Sequence, residues 1–157
     1  MRLDLDKIEK RIQFIRRNLA DLRELASLSE SEFLSDKRNF HTAIRLLQIS
    51  IEAMLDIFSH IVARLHLGAP SDDRETLEAV RDKGLVTQEH HQRYFLMNKF
   101  RNKVVHGYLD VDAKQVYGML QEDLGDFDKF FDDVGRIVES ERAKERSNKR
   151  RNAKGKK

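Results

Sequence analysis

The sequence predicts an all-α protein, and three features support this prediction. One proline and seven glycines leave few positions at which a helix must end. Apolar residues recur at intervals of three and four, as on the buried face of a helix, rather than at the alternate positions typical of a strand. Residues that commonly cap helices precede several of these apolar segments. We therefore expect an antiparallel bundle of about five helices.

The first two predicted helices carry long apolar stripes. The first covers residues 4–26, and the second covers residues 30–66 and ends at the Gly68-Ala69-Pro70 segment. The stripe of the first helix consists of Leu5, Ile8, Ile12, Ile15, Leu19 and Leu22. The stripe of the second consists of Phe40, Ile44, Leu47, Ile51, Met54, Phe58, Ile61 and Leu65. Because its stripe is the longer of these two, we expect the second helix to form the spine of the bundle.

Two further helices follow the spine. A short one is predicted over residues 73–83, and Gly84 can supply the left-handed backbone on which many helices end. Thr87 is placed to cap a helix that runs to His106, where Gly107 stops it. The inner stripe of this helix is expected to consist of Leu96, Phe100 and Val104.

The last predicted helix opens at Asp112, which forms the pattern of a capping box with Gln115. Its apolar stripe consists of Val116, Leu120, Leu124, Phe127, Phe131, Val134 and Val138. From Ser140 onward the stripe disappears while helix-forming residues continue, so we expect the helix to fray into a mobile tail. The chain is thus divided into a helical domain, residues 1–139, and a basic tail, residues 140–157.

Composition excludes several classes of protein. Charged residues make up 36% of the chain and apolar residues 39%, which indicates a heavily solvated protein with enough apolar surface for a core. Because the chain has no cysteine, disulfides, thiol catalysis and thiolate metal sites are excluded. No segment longer than seven residues lacks a charge, so neither a membrane span nor a secretory signal is expected, and the protein is predicted to be cytoplasmic.

The net charge of +3 is distributed unevenly along the chain. Residues 140–157 carry nine Lys or Arg and two Glu, a net charge of +7, which leaves −4 for residues 1–139. Such a tail attracts polyanions by counterion release, but a basic terminus is also typical of a solubilising, disordered end. The sequence alone favours the solubilising end.

Four kinds of polar residue lie together in the segment Lys99–Tyr108, where a helix meets a glycine. Asn102 and His106 are one turn apart on the same helix face, and Arg101 lies on the adjoining face. A histidine moves protons near neutral pH, an arginine can hold a phosphate through two hydrogen bonds, and a tyrosine hydroxyl can donate or orient. This set suits phosphodiester cleavage. The alternative is a helix C-terminus at which cations meet the helix dipole and polar side chains cap loose carbonyls.

The segment Arg101-Asn-Lys-Val-Val-His106-Gly-Tyr108 reads as Arg, four residues, His, one residue, Tyr, and resembles the signature of the HEPN superfamily. Within that superfamily the chain is most similar to the HepT-like ribonuclease toxins. Residues 45–64 resemble their second helix, and residues 73–86 resemble their link to the motif helix. The resemblance covers residues 1–139 without the basic tail, and it outweighs the capping interpretation of the motif.

The resemblance implies a HEPN-like bundle and a metal-independent endoribonuclease without a cofactor. It also implies a homodimer in which the motif helices of two protomers line one cleft. It assigns Arg101 and His106 as the catalytic pair and Asn102 as a supporting residue. Tyr108 matches the tyrosine that an MntA-like nucleotidyltransferase antitoxin modifies with AMP, while Gly107 departs from the polar residue common at its position. The expected partners are therefore RNA, that antitoxin and a second copy, with no membrane.

Other polar clusters are expected to be structural. Asp56 and His60 are four residues apart on the spine helix but lack a further ligand, so no metal site is expected there. His90 and His91 are expected to be solvated. Three pairs of neighbouring aspartates are expected to serve turns and helix N-termini for backbone reasons. These pairs are Asp72 with Asp73, Asp110 with Asp112, and Asp132 with Asp133.

Two functions from different classes fit these features. The first is an RNA-cleaving toxin, in which His106 takes the proton of a ribose 2′-hydroxyl and Arg101 stabilises charge on the phosphate. The second is a non-catalytic helical subunit that docks on a nucleotidyltransferase and helps to hold its substrate. The intact set of Arg101, His106 and Tyr108 favours the first function, because a scaffold has no chemical reason to keep these residues together.

Overall fold

The computed structural model describes residues 1–107 and 110–156, and within these ranges it contains helices and no strands. The prediction of an all-α bundle is confirmed. α3 lies at the centre and contacts α1, α2, α4, α5 and α6, whereas α7 packs along α5. The helices of the described chain are α1 (Leu5–Ala26), α2 (Glu30–Ser35), α3 (Lys37–Arg64), α4 (Asp73–Asp82), α5 (Gln88–His106), α6 (Ala113–Glu122) and α7 (Gly125–Gly155).

Two of the predicted helices are each divided, so that seven helices take the place of about five. Asp36 has an extended backbone and separates α2 from α3, and its carboxylate accepts a hydrogen bond from the Arg38 N–H at 2.9 Å. The second interruption falls at Asp123 and Leu124, between α6 and α7. Aspartate is a weak helix former because its side chain competes for nearby backbone groups, and this explains the break at Asp36.

The predicted helix ends agree with the structure. The Thr87 side chain accepts from the His90 N–H at 3.1 Å, and the Asp112 side chain accepts from the Gln115 N–H at 2.8 Å. Gly84 has a φ of +72°, which places it in the left-handed region that favours glycine. These local signals therefore set the start of α5 and α6 and the turn after α4.

Aromatic side chains connect the central helix to the pair formed by α5 and α7. The ring of Phe58 on α3 lies 5.3 Å from Tyr94 on α5 and 5.2 Å from Phe130 on α7, measured between centroids. All three side chains are fully buried. This contact fixes α5 against two helices at once and so gives the motif helix a rigid support.

The buried face of α5 differs in one position from the predicted inner stripe. Phe100 and Val104 are buried as expected, whereas Leu96 is 41% exposed, so its placement in the stripe was wrong. The buried face instead passes through Tyr94 and Met97. Successive residues turn by about 100° around a helix, so a stripe of strict four-residue steps drifts off the buried face.

By length and composition, α3 is the one helix within the described ranges that could cross a membrane. Its apolar residues are nevertheless the centre of the bundle, since Leu47, Met54, Phe58 and Ile61 are buried against the other helices. This burial accounts for the apolar composition of α3, because a central helix must be apolar on several sides.

The basic tail begins as part of the bundle. α7 remains helical to Gly155, and Glu141 is 6% exposed. The Glu141 carboxylate accepts hydrogen bonds from Arg2 at 3.2 Å and from Lys144 at 3.2 Å. The first turn beyond residue 139 is thus packed against the N-terminal segment, and the mobility of the remaining tail stays a prediction.

Candidate functional site

The sequence-predicted site lies at the C-terminal end of α5. The helix ends at His106, and the Gly107 N–H closes it by donating to the carbonyl of Lys103 at 2.8 Å. Phe100 and Val104 anchor this end in the core. The side chains between and beyond them are therefore presented from a rigid helix rather than from a loop.

Among the predicted site residues that the structure describes, Arg101 makes the most hydrogen bonds. Its Nη2 donates to Oδ2 of Asp73 at 2.6 Å, and its Nη1 donates to Oδ1 of Asn102 at 3.1 Å. The side chain is 18% exposed, and Nε is buried without a hydrogen-bond partner in the described part of the chain. Two acceptors therefore hold the guanidinium group against α4 in one orientation.

Asp73 contacts a predicted site residue, Arg101, although the sequence analysis assigned it only to a helix N-terminus. In the structure Asp72 alone caps α4, because its carboxylate accepts from the Glu75 N–H at 2.8 Å. The carboxylate of Asp73, the first residue of α4, is then available for the ion pair with Arg101. Two consecutive aspartates at the start of a predicted helix were the available sequence signal. Capping the helix requires only one carboxylate, so the other is left for a different contact.

Asn102 and His106 are both exposed, one turn apart on α5. Arg101 precedes His106 by five residues, which places it about 140° around the helix. The structure thus brings Arg101 and Asn102 together, while His106 lies near the Asn102 face of α5 and away from Arg101. Tyr108, the fourth predicted site residue, lies outside the described residues.

A second polar cluster joins α5 to α7. Asp133 is completely buried, and its Oδ2 lies 2.8 Å from Nδ1 of His90. The Tyr94 hydroxyl and the Arg136 guanidinium also donate to this carboxylate, and burial raises the pKa of Tyr94. The expectations that His90 is solvated and that Asp133 serves a turn or a helix N-terminus were wrong, because packing of α5 on α7 buries Asp133 completely and His90 in part.

Arg93 makes a further link between these helices. Its guanidinium donates to Asp126 at 2.9 Å and to Asp123 at 3.0 Å, at the junction of α6 and α7. The hydrogen bond to Asp126 raises the pKa of Arg93, while burial raises the pKa of Asp123. Together with the Asp133 cluster, this link fixes the position of α5 relative to α7.

His91 is also buried, contrary to the expectation that it is solvated. It is 6% exposed, and neither ring nitrogen has a hydrogen-bond partner among the described residues. Its ring stacks on Phe95 at a centroid distance of 6.5 Å. Burial lowers the pKa of His91, and the nearby charge of Arg81 lowers it further.

Asp56 and His60 have structural contacts. The His60 Nε2 accepts a hydrogen bond from the Asp4 N–H at 3.0 Å, and the Asp56 carboxylate lies 3.7 Å from Nε of Arg11. Burial lowers the pKa of His60. Over residues 1–107 and 110–156, no group of three or more His, Asp or Glu residues is arranged to hold a metal ion.

Comparison with known families gives a direct match. The family described as ribonuclease HepT-like matches residues 15–134, which is well over half of the chain. The chain belongs to the HepT-like ribonuclease family. The resemblance inferred from the Arg101–Tyr108 motif is thereby confirmed, and so is the expectation that the chain belongs to a class of RNA-cleaving enzymes.

Two HepT relatives are similar over most of the domain. The chain is 30% identical over 110 residues to a tRNA nuclease HepT of Aphanizomenon flos-aquae, covering 70% of this chain and 75% of that protein. It is 31% identical over 102 residues to an mRNA nuclease HepT of Shewanella oneidensis, covering 65% and 77% respectively. Because the two relatives are named for different RNAs, membership of the HepT-like family leaves the RNA target open.

Solved structures share the HepT-like fold. A toxin–antitoxin crystal structure with AMP-PNP matches with a TM-score of 0.77 and 27% identity, covering 83% of this chain and 98% of that chain. A tri-AMPylated Shewanella oneidensis HEPN toxin in complex with its MNT antitoxin matches with a TM-score of 0.77, 28% identity and the same coverage. The HEPN-like fold expected from the motif is therefore confirmed.

Proposed function

We propose that this chain is the RNA-cleaving toxin of a toxin–antitoxin pair and that Arg101 and His106 carry out the cleavage. The observation that supports this proposal is the position of both residues on the rigid end of α5, with Arg101 held by Asp73 at 2.6 Å, in a HepT-like bundle. An RNA substrate also means that the protein acts in the cytoplasm.

The proposed reaction is internal transesterification. His106 accepts the proton of the ribose 2′-hydroxyl, and the 2′-oxygen forms a bond to the adjacent phosphorus while the bond to the 5′-oxygen breaks. Arg101 stabilises the charge on the pentacoordinate phosphate, and Asn102 and Asp73 keep its guanidinium in place. The leaving 5′-oxygen takes a proton from an imidazolium, so the products are a cyclic phosphate and a 5′-hydroxyl. No step uses a metal ion.

A homodimer completes this site in our proposal. Within one protomer His106 is exposed and lies about 140° around α5 from Arg101, so a single copy presents these groups on different sides. A two-fold axis beside α5 brings a second His106 to the same cleft, where one copy acts as base and the other as acid. A strict monomer at micromolar concentration in light scattering would contradict the shared cleft.

The experiment that tests cleavage is expression in a bacterial host, followed by incubation of purified protein with total RNA. We expect growth arrest and fragmented RNA with the natural chain, and neither with His106→Ala. His41→Ala is the matched control, because His41 is an exposed histidine on α3, away from the motif. If natural and His106→Ala proteins both leave RNA intact, the alternative of a non-catalytic subunit that binds a nucleotidyltransferase gains support.

We further propose that an MntA-like nucleotidyltransferase silences the toxin by attaching AMP to Tyr108. The similarity to a tri-AMPylated HEPN toxin in complex with its antitoxin supports this. AMP adds bulk and negative charge beside the site that must bind RNA phosphate, so substrate binding is opposed without a change of fold. After co-expression, intact mass measurement should show adenylate additions that Tyr108→Phe abolishes. Complete neutralisation of unmodified toxin would instead indicate simple occlusion by the antitoxin.

A further inference from the structure

We propose that residues 140–155, the end of α7, form an RNA-binding arm that contacts the phosphate backbone of the substrate away from the cleavage site. This inference rests on the proposed function, because it takes RNA as the substrate. The HepT-like match ends at residue 134, whereas α7 continues as a helix to Gly155. The arm thus lies beyond the segment that matches the family, and its helical form holds its charges in a defined arrangement.

The two faces of the arm differ in charge. Both acidic residues of the arm, Glu141 and Glu145, lie on the face against which Met1 and Arg2 pack. On that face Glu141 also pairs with Lys144, and Glu145 pairs with Lys149. At 100° per residue, the opposite face contains small neutral residues and a row of cations. These cations are Arg146, Arg150 and Lys154.

Most of this basic face has no counter-charge. Arg146 pairs with Glu139 at 2.9 Å, whereas Arg150 and Lys154 form no ion pair with any residue that the structure describes. All three side chains are exposed. A helix with no apolar face and a row of like charges is marginal on its own, and a polyanion laid along it would relieve the repulsion. RNA phosphates supply such a polyanion.

The arm leaves the bundle at the end of α5 that is opposite to the motif. α7 runs antiparallel to α5. Asp126 on α7 contacts Arg93, whereas Asp133, about two turns further along α7, contacts His90, which is nearer the start of α5. At about 1.5 Å per residue, the 19 residues of α5 separate the base of the arm from His106 by roughly 28 Å. A dinucleotide cannot span this distance, whereas a long stem-loop can. The arm should therefore matter for long substrates alone.

The test uses the full chain with His106→Ala, so that bound RNA is not cut. The arm variant replaces three cations by Gln, at Arg146, Arg150 and Lys154. The control variant replaces three exposed cations elsewhere by Gln, at Lys10, Arg17 and Lys37. Binding of a fluorescent stem-loop RNA is followed by anisotropy over a range of KCl concentrations. We expect the slope of log affinity against log salt to become less steep by roughly 2–3 in the arm variant and to change less in the control.

Equal slopes in the two variants would overturn the proposal, because the effect would then reflect net charge alone. Normal RNA binding by the arm variant, combined with lost binding to anionic phospholipid vesicles, would overturn it in favour of a lipid surface.

Cleavage assays on chains that keep His106 distinguish the proposed nuclease site from the proposed RNA-binding arm. Absence of cleavage with an altered salt slope would refute the nuclease site and keep the arm. Normal cleavage of both dinucleotide and stem-loop by the arm variant would refute the arm and keep the site.

Discussion

The guanidinium of Arg101 on α5 is held by the carboxylate of Asp73 on α4 across a distance of 2.6 Å between Nη2 and Oδ2. The pair is partly buried, with 18% of the Arg101 side chain and 35% of the Asp73 side chain exposed. Such an arrangement limits the rotamers of the arginine before RNA arrives, so less ordering is required when a phosphate binds. The link between α4 and α5 is in this sense part of the proposed site.

Asp73→Asn removes the charge of this partner while keeping its size. We expect the variant to fold normally and to cleave RNA with a kcat reduced by roughly 10- to 100-fold, because the arginine is no longer held in its productive orientation. Asp73→Glu should recover part of the loss. Asp72→Asn is the control, since asparagine is an equally good helix cap and leaves the pair with Arg101 intact. Unaltered kcat in Asp73→Asn would show that the pair has no role in positioning.

Chelation distinguishes the proposed chemistry from metal-assisted hydrolysis. If His106 and Arg101 suffice, RNA cleavage continues at the same rate after dialysis against EDTA, and the 5′ fragments end in a cyclic phosphate. Gel mobility before and after treatment with acid, which opens the ring, checks the product ends. A loss of activity that added Mg²⁺ restores would contradict the mechanism.

Replacement of Asp133 tests the buried cluster between α5 and α7. Asp133→Ala leaves the Tyr94 hydroxyl and His90 without their acceptor, so we expect the free energy of unfolding to fall by about 3 kcal/mol. Asp132→Ala removes an exposed neighbour of the same charge and should change it by less than about 0.5 kcal/mol. Urea denaturation of both variants measures the difference. Equal free energies of unfolding for the two variants would mean that the cluster makes no net contribution to stability.

His91 should make stability depend on pH. Because burial lowers its pKa in the folded state, the unfolded chain binds a proton first as pH falls, and stability is lost below about pH 6.5, the usual histidine value. His91→Leu removes this proton uptake together with two ring nitrogens that have no hydrogen-bond partner in the described part of the chain. We expect thermal unfolding of His91→Leu to vary less between roughly pH 7 and pH 5 than that of the natural chain. His60, whose pKa burial also lowers, leaves a residual dependence in both proteins.

Local signals predicted more of this fold than of its site. Thr87 and Asp112 cap helices through contacts three residues away, and Gly84 adopts the left-handed backbone that its own turn requires. Because these features are local, sequence patterns identify all three. The pair of Arg101 with Asp73 spans 28 residues and depends on how α4 lies on α5. No periodicity encodes that geometry. The same reason explains why the burial of Asp133, which α5 covers, was missed.

The contact between Arg2 and Glu141 has a consequence for the synthesis of the protein. The two residues are 139 positions apart, and Glu141 is buried only when the N-terminal segment reaches it. During translation α1 and α3 can pack as soon as both have emerged, because their contacts need nothing further along the chain. Arg2 cannot make this contact until the part of α7 that contains Glu141 has been synthesised. The segment around Arg2 is thus made well before its partner and is among the last parts of the bundle to reach its final place.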